Sequence, residues 1–294
     1  ARMGWPLNDP MLSCVSIHGL PLQNLALHIQ PGIKLLVLSR DNESPAQVAK
    51  MLCTMGYGDS PMSILECMNG DLEKRTNAVA KDDIGDAFQN LNTVAVECVA
   101  TTSAQPLSRS PGLPDDAFEH DGIITKREVR AITLAALAPL PGDVLWDIGA
   151  GNGTIAIEWL RIEPRAHALA FEKDSVRADR ICANAAALGV PALQVIADHF
   201  LPASDGVELK PDAIFIGGGL ASGDSLIEKC LKTLKPGGRI VANAVTLEAQ
   251  ARLMAAHAAH GGALVRIAIA RADAVGPLQA MKSSIDVLQW RVTV

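Results

Sequence analysis

Asp147-Ile148-Gly149-Ala150-Gly151-Asn152-Gly153-Thr154 follows a strand-like run, Asp143-Val-Leu-Trp-Asp147, and leads straight into a helix-like one, Ile155-Ala-Ile-Glu-Trp-Leu160. Three alternating glycines permit positive φ and let a ligand approach the main chain where a Cβ would collide. The helix that follows opens on N–H groups without intrahelical partners. Strand, glycine loop and helix in this order read as a nucleotide-cofactor loop; the alternative is an ordinary strand-to-helix turn. A dinucleotide fingerprint needs G-x-G-x-x-G, and here Thr154 directly follows the third glycine, which weakens an NAD reading.

A second acidic residue, Glu172, ends the next strand-like run, Ala166–Phe171. A carboxylate there can accept hydrogen bonds from both ribose hydroxyls of a nucleoside. Asp147, Gly149, Gly151, Gly153 and Glu172 together resemble the S-adenosylmethionine site of class I methyltransferases. Asp147 also has a simpler reading, as a strand-end residue pairing loop amides.

The elements around the loop suit that fold. Strand signals recur at Asp143–Asp147, Ala166–Phe171, Leu193–Ala197, Ala213–Ile216 and Arg239–Val245, each followed by a helix-like stretch or a long loop. Such alternation argues for a parallel sheet covered by helices on both faces. After the helix-like Leu247–His260, two β-rich runs, Ala263–Ala272 and Ser284–Val294, come without a helix between them and suggest a closing antiparallel pair. The expected fold is α/β, a Rossmann-like seven-stranded class I methyltransferase sheet. Thr125-Lys-Arg-Glu128 reads as a capping box opening its first helix.

The 294 residues are 49% apolar, enough for two moderate cores, and the net charge is −6. No global basic field draws nucleic acid, and aromatic residues for base stacking are 3% of the chain. The six cysteines show no C-x-x-C and no paired His spacing, so they read as thiols in a reducing cytosol, with no metal site. No apolar run approaches the ~18 residues of a membrane span, and no signal-peptide pattern opens the chain. The expected setting is cytoplasmic.

Residues 1–100 form a second α/β segment. Lys34–Ser39, Met62–Cys67 and Thr93–Val99 read as strands, and Ser44-Pro45 opens a helix over Ala46–Leu52. The Pro-, Ser- and Gly-containing 101–120 reads as a linker, which leaves 121–294 as the methyltransferase domain.

Pro111-Gly-Leu-Pro-Asp-Asp-Ala-Phe-Glu-His-Asp-Gly122, Thr125-Lys-Arg-Glu-Val-Arg130 and Asp147–Trp159 resemble the decarboxylating half of the precorrin-6Y C(5,15)-methyltransferase family of cobalamin biosynthesis. The resemblance runs from about Pro111 to the C-terminus. Gly4-Trp-Pro-Leu7, Ser16-Ile-His-Gly19 and Lys34–Ser39 resemble the C-terminal half of the family's other, tetrapyrrole methylase module. The front half of that module, with its Gly-Asp-Pro loop, is not seen, so the chain reads as truncated.

The resemblance implies that a reduced tetrapyrrole receives a methyl from S-adenosylmethionine at C-15 and loses carbon dioxide from the ring-C acetate; C-5 methylation would belong to the full-length enzyme. It places Gly149, Ala150, Gly151, Asn152 and Gly153 along the methionine part of the cofactor, Glu172 on the ribose and Asp198-His199 beside the adenine. Thr125 matches a threonine near the cofactor, with helix capping as its other role, and Gly217, at the end of the fourth strand, joins the cofactor set. Gly217-Gly-Gly219 stands where amino-methylating enzymes carry Asn/Asp-Pro-Pro-aromatic, which argues against a nucleic-acid amine as acceptor. His120, Asp121 and His199 are candidates by position for decarboxylation. Lys126, Arg127 and Arg130 are candidates for binding substrate carboxylates, against a solvated helix face paired with Glu128. The resemblance also implies a homo-oligomer, a tetramer of the decarboxylating half. A class I methyltransferase with another substrate, such as RNA, and a non-catalytic nucleotide-binding scaffold are the remaining alternatives.

Overall fold

The computed structural model describes residues 2–85, 87–200, 206–220 and 225–294. The chain divides into two compact units, Ala1–Ser108 with Ala187–Pro191, and Arg109–Ala186 with Ala192–Val294.

The first unit holds a five-stranded sheet of β1 (Leu12–Ser16), β2 (Lys34–Leu38), β3 (Pro61–Glu66), β4 (Lys74–Val79) and β5 (Asn92–Glu97), ordered β1-β2-β5-β3-β4. Only the β1–β2 pair is parallel. Helix α1 (Ser44–Thr54) starts at Ser44, with Pro45 in its first turn, where the missing N–H costs nothing. Leu35, Val37, Leu52, Met62, Val94 and Val96 are buried in one core. Sequence reading misses β1 and β4; β4, Lys-Arg-Thr-Asn-Ala-Val, is a polar edge strand without apolar alternation.

The second unit is built on β6 (Val144–Ile148), β7 (His167–Phe171), β8 (Gln194–Ile196), β9 (Ala213–Ile216), β10 (Arg239–Ala244), β11 (Ala263–Ile267) and β14 (Val287–Thr293). Their order is β11-β14-β10-β9-β6-β7-β8. Strands β6 to β10 pair in parallel, and β14 runs antiparallel to both β10 and β11. The near-continuous apolar runs follow from that placement, because central parallel strands are covered on both faces. Helices α2 (Arg127–Leu137), α3 (Thr154–Ile162), α4 (Ser175–Ala187), α5 (Ser225–Thr233) and α6 (Leu247–His260) accompany the sheet. Trp146, Phe171 and Phe200 meet edge to face, with ring centroids 5.0–5.8 Å apart, near the carboxyl ends of β6 and β7.

The expected strand over Ala263–Ala272 is instead two. β11 ends at Ile267, and β12 (Ala270–Val275) pairs with β13 (Leu278–Ser283) in a separate hairpin. Gly276, at φ 59°, and Pro277 form its two-residue turn, the glycine-first arrangement that matches strand twist. The Thr125–Glu128 capping box does not form. Helix α2 starts after Lys126 with no side-chain cap, Thr125 gives its carbonyl to Arg130, and Glu128 pairs with Arg271.

From Arg109 on, the segment read as a linker belongs to the second unit and is pinned along its length. Gly112 N and Leu113 N donate to the Glu158 carboxylate at 2.5 and 3.1 Å. Glu119 exchanges two hydrogen bonds with the Asn184 amide. Asp121 pairs with Arg177 at 2.8 Å, and Ile123 O accepts from Asn152 Nδ2 at 2.8 Å. Composition reads the irregular backbone correctly and says nothing of these anchors.

Arg130 is the largest of them. It sits on the buried face of α2 with 0% side-chain exposure, 2.6 Å from Glu158 and 3.0 Å from Asp115. It also donates to the carbonyls of Leu113 and Thr125 and lies 4.9 Å from the Phe118 ring. Its assignment to substrate carboxylates is therefore corrected: the guanidinium is spent inside the protein. Removing one partner of a buried pair strands the other charge, so Arg130→Ala should lower unfolding free energy in urea by about 3–5 kcal/mol. Arg127→Ala, on the exposed side, should change it by no more than about 0.5 kcal/mol.

Candidate active site

At the carboxyl ends of β6, β7 and β9 the second unit encloses a cavity of about 420 Å³. Ile148, Gly149, Ala150, Gly151 and Asn152 form one side; Phe171, Glu172 and Lys173 a second; Asp198, His199 and Phe200 a third. Gly217–Gly219 and Ile123–Thr125 add further wall, together with Thr154, Ile155, Arg177 and Phe215. This is the crevice outside the strand ends where open α/β sheets bind ligands.

The glycines divide the work. Gly151, at φ 61°, would point a Cβ into open space, so its backbone is bare toward the cavity. Gly149 allows close packing: a Cβ there would stand 2.8 Å from Gly218 Cα, because the loops after β6 and β9 touch main chain to main chain. Gly153 caps α3 at φ 77°, and a Cβ there would meet Ile181 Cγ2 at 2.7 Å. It is the helix-packing glycine and does not line the cavity. Gly217 packs on the Phe215 ring, 2.7 Å from where its Cβ would lie. The Gly217–Gly219 run thus has a packing reason besides the absent acceptor side chain.

Glu172 borders the cavity, with Oε2 accepting from Gly151 N at 2.8 Å and Oε1 from Asp174 N at 3.1 Å. Each oxygen keeps a further lone pair for a ligand hydroxyl. Asp147 lies beneath the loop, 1% exposed; its Oδ2 accepts from Ala156 N at 3.1 Å and its Oδ1 has no partner. Burial pushes its carboxyl up to about 7, against the Ala156 hydrogen bond and with Glu172 adding to the rise. Its place is structural, one layer below the cavity wall.

The other sequence candidates separate. Thr125, Gly149, Ala150, Gly151, Asn152, Glu172, Asp198, His199 and Gly217 line the cavity; Asp147 and Gly153 do not. Of the decarboxylation candidates only His199 reaches it. His120 Nδ1 accepts from Gly122 N at 3.0 Å, away from the cavity. Asp121 is tied to Arg177, and the Ile123 amide, with Arg177, holds its carboxyl down to about 2. It stays ionised at neutral pH and has no proton to give. Arg127 is exposed and lines neither this cavity nor its neighbour.

That neighbour, a cleft of about 470 Å³, is missed by sequence reading. Its walls are Val129, Ile267, Ile269, Ile285 and Val287, with Lys126, Asn243 and Ser284 as polar members. Ile123, Ile124, Thr125, Phe215 and Gly217 line both spaces. The sequence signal was present only as β-branched residues scattered over α2, β11, β14 and the segments flanking them.

Residues 116–294 match the model of the precorrin methyltransferase domain. A precorrin-6Y C(5,15)-methyltransferase [decarboxylating] of Sinorhizobium sp is 44% identical over 293 residues, which cover 100% of this chain and 70% of that protein. The chain belongs to the precorrin-6Y C(5,15)-methyltransferase (decarboxylating) family. The namesake from Mycobacterium tuberculosis (strain CDC 1551 / Oshkosh) is 38% identical, over 100% of this chain and 72% of its own. The crystal structure of the C-terminal domain of precorrin-6Y C5,15-methyltransferase from Rhodobacter capsulatus covers 64% of this chain and 100% of its own, at 41% identity and a TM-score of 0.60. The chain is a decarboxylating C-methyltransferase that uses S-adenosylmethionine, on a class I methyltransferase fold. The α/β fold read from the glycine loop and strand alternation agrees with this.

The buried Asp147 gives the ligand-free protein a pH signature. Its folded-state pKa, about 7, lies above the unfolded value of about 3.9. Its contribution to stability is therefore complete below about pH 4 and lost as pH rises through about 7. Asp147→Asn keeps an acceptor for Ala156 N–H and cannot ionise, so its melting temperature should fall less than the parent's between about pH 5 and 8. Calorimetric melts across that range decide it; parallel slopes would place the titration elsewhere.

Proposed function

We propose that the second unit transfers a methyl from S-adenosylmethionine to the C-15 meso carbon of precorrin-6B and removes the carboxyl of the ring-C acetate as carbon dioxide. The observation that carries this reading is the shared wall: Ile123, Ile124, Thr125, Phe215 and Gly217 line both the glycine-loop cavity and the apolar cleft. A donor held in the first and an acceptor held in the second would meet where these residues border both spaces.

The residues present fit the donor. Bare backbone at Gly151, the Glu172 carboxylate and apolar surface from Ile148, Phe171 and Phe200 suit a nucleoside with an amino-acid arm. When bound, S-adenosylmethionine supplies a methyl on a positively charged sulfur. The chain's own part is alignment of an electron-rich carbon with that methyl and exclusion of water, which Ile123, Ile124 and Phe215 are placed to provide. Glu172 would hold the ribose, Asp198 and His199 would border the adenine, and Lys126 at the cleft would meet a substrate carboxylate.

The first unit is read as the C-terminal half of the family's tetrapyrrole methylase module, a reading supported by relatives that match along the whole chain. The working assembly is proposed to be a homotetramer in the cytoplasm. The hairpin β12–β13 supports an assembly of copies, since both strands are exposed, Val275, Leu278 and Met281 included, and a lone two-stranded hairpin is marginal in water. Among the described residues no helix is long and apolar enough to cross a membrane.

Glu172→Ala should weaken S-adenosylmethionine binding about 5- to 150-fold, the equivalent of about 1–3 kcal/mol for hydroxyls and a loop amide left without an acceptor. Titration calorimetry measures it, and unchanged affinity removes Glu172 from the site. Incubation with methyl-labelled cofactor and precorrin-6B tests the reaction: one methyl gained and one carbon dioxide lost is the expected product. Leu278→Asp should lower the mass found by light scattering if copies meet at the hairpin.

A further inference from the structure

Asn243 lies in β10 and lines the apolar cleft. Its side chain ends a chain of hydrogen bonds whose direction is fixed from the far end. The Arg291 guanidinium can only donate, so the atom 2.6 Å from its Nε is Gln289 Oε1. Gln289, 0% exposed, then directs its Nε2 to Asn243 Oδ1 at 2.8 Å and to Thr133 Oγ1 at 3.1 Å. Asn243 therefore faces Thr133 with Nδ2, at 2.9 Å, and the Thr133 hydroxyl gives its own proton to Val129 O at 2.8 Å.

Counting donors leaves one unused. Both Gln289 Nε2 hydrogens are engaged, and the Thr133 hydroxyl accepts twice and donates once. Asn243 Nδ2 has a second N–H with no partner among the described residues, and Asn243 is the member of the network that lines the cleft. A fixed, neutral, single donor among Val129, Ile267, Ile269 and Val287 is suited to one acceptor oxygen in a poorly solvated place.

We infer that this cleft seats the carboxymethyl arm that the enzyme decarboxylates, and that Asn243 orients its carboxylate through the free Nδ2–H. The inference rests on the proposed reaction. The apolar walls disfavour the carboxylate charge, which promotes its loss; the Lys126 ammonium, which lines the same cleft, is assigned to a different carboxylate of the substrate, and an ammonium in place of the Asn243 amide would retain the charge. The bond between the methylene and carboxylate carbons breaks and carbon dioxide leaves. The electron pair passes into the conjugated imine of the macrocycle as an enamine, and a proton from water then adds to the methylene carbon, which becomes the methyl. Arg291, Gln289 and Thr133 are positioning residues, because they act through the Asn243 amide.

The ratio of carbon dioxide released to methyl transferred, measured with the full chain, S-adenosylmethionine and precorrin-6B, tests this. Asn243→Leu should lower that ratio at least tenfold, with methyl transfer within about threefold of the parent and cofactor affinity unchanged. Asn243→Asp, which is isosteric and lacks the N–H, gives the same readout if the leucine variant fails to fold. Arg291→Met should lower the ratio by releasing the Gln289 amide, and Arg291→Lys should restore it; a merely structural role would leave the ratio alone. A parental ratio in the Asn243 variants, or equal loss of both steps, overturns the role of Asn243. A parent chain that does neither step is a different result, which overturns the proposed activity itself.

Discussion

A guanidinium taken wholly out of water governs the architecture around the site. Arg130 is attached to α2, yet its partners come from three other places: Glu158 in α3, Asp115 with the Leu113 carbonyl, and the Thr125 carbonyl. Burying a charge is costly unless it is paired and its donors are used. Here the Glu158 carboxylate also takes the Gly112 and Leu113 amides, so the two charges and the segment between residues 112 and 125 satisfy one another. That segment has little regular structure of its own, and its path is set by these bonds.

The far end of the same segment walls both spaces of the candidate site. Ile123–Thr125 separate the glycine-loop cavity from the apolar cleft, with Phe215 and Gly217 opposite. The two loops that bear on the cavity approach as closely as backbones allow at Gly149 and Gly218, which keeps the carboxyl ends of β6 and β9 together. A side chain at Gly149 would force them apart, because its Cβ would stand 2.8 Å from Gly218 Cα. The spacing of the two spaces is thus set by backbone contact on one side and by a buried ion pair, acting through its carbonyl bonds, on the other.

Much of the fold was legible because its physics is local or periodic. Central parallel strands read as apolar runs, and the glycine loop shows its torsional demands directly in the sequence. Arg130 was misread because a charge on an amphipathic helix belongs by default to the wet face; its partner Glu158 is 28 residues away inside an otherwise apolar helix. Asn243 has no mark in the strand run Arg239–Val245, because its hydrogen-bond partner Gln289 lies 46 residues further on. The hairpin β12–β13 was lost because exposed strands carry no apolar alternation, though Gly276-Pro277 marked its turn. The residues of the glycine loop could be named in advance; the cleft, assembled from α2, β10, β11 and β14 with their flanking segments, could not.

In the proposed reaction the common wall would tie the two ligands together thermodynamically. Ile123 is exposed and its carbonyl is held by Asn152, itself part of the glycine loop, so the wall and the cofactor loop are mechanically joined. Order imposed on Ile123–Thr125 by one ligand is order that the other need not supply. Linkage then requires each to raise the other's affinity by the same factor, whichever arrives first.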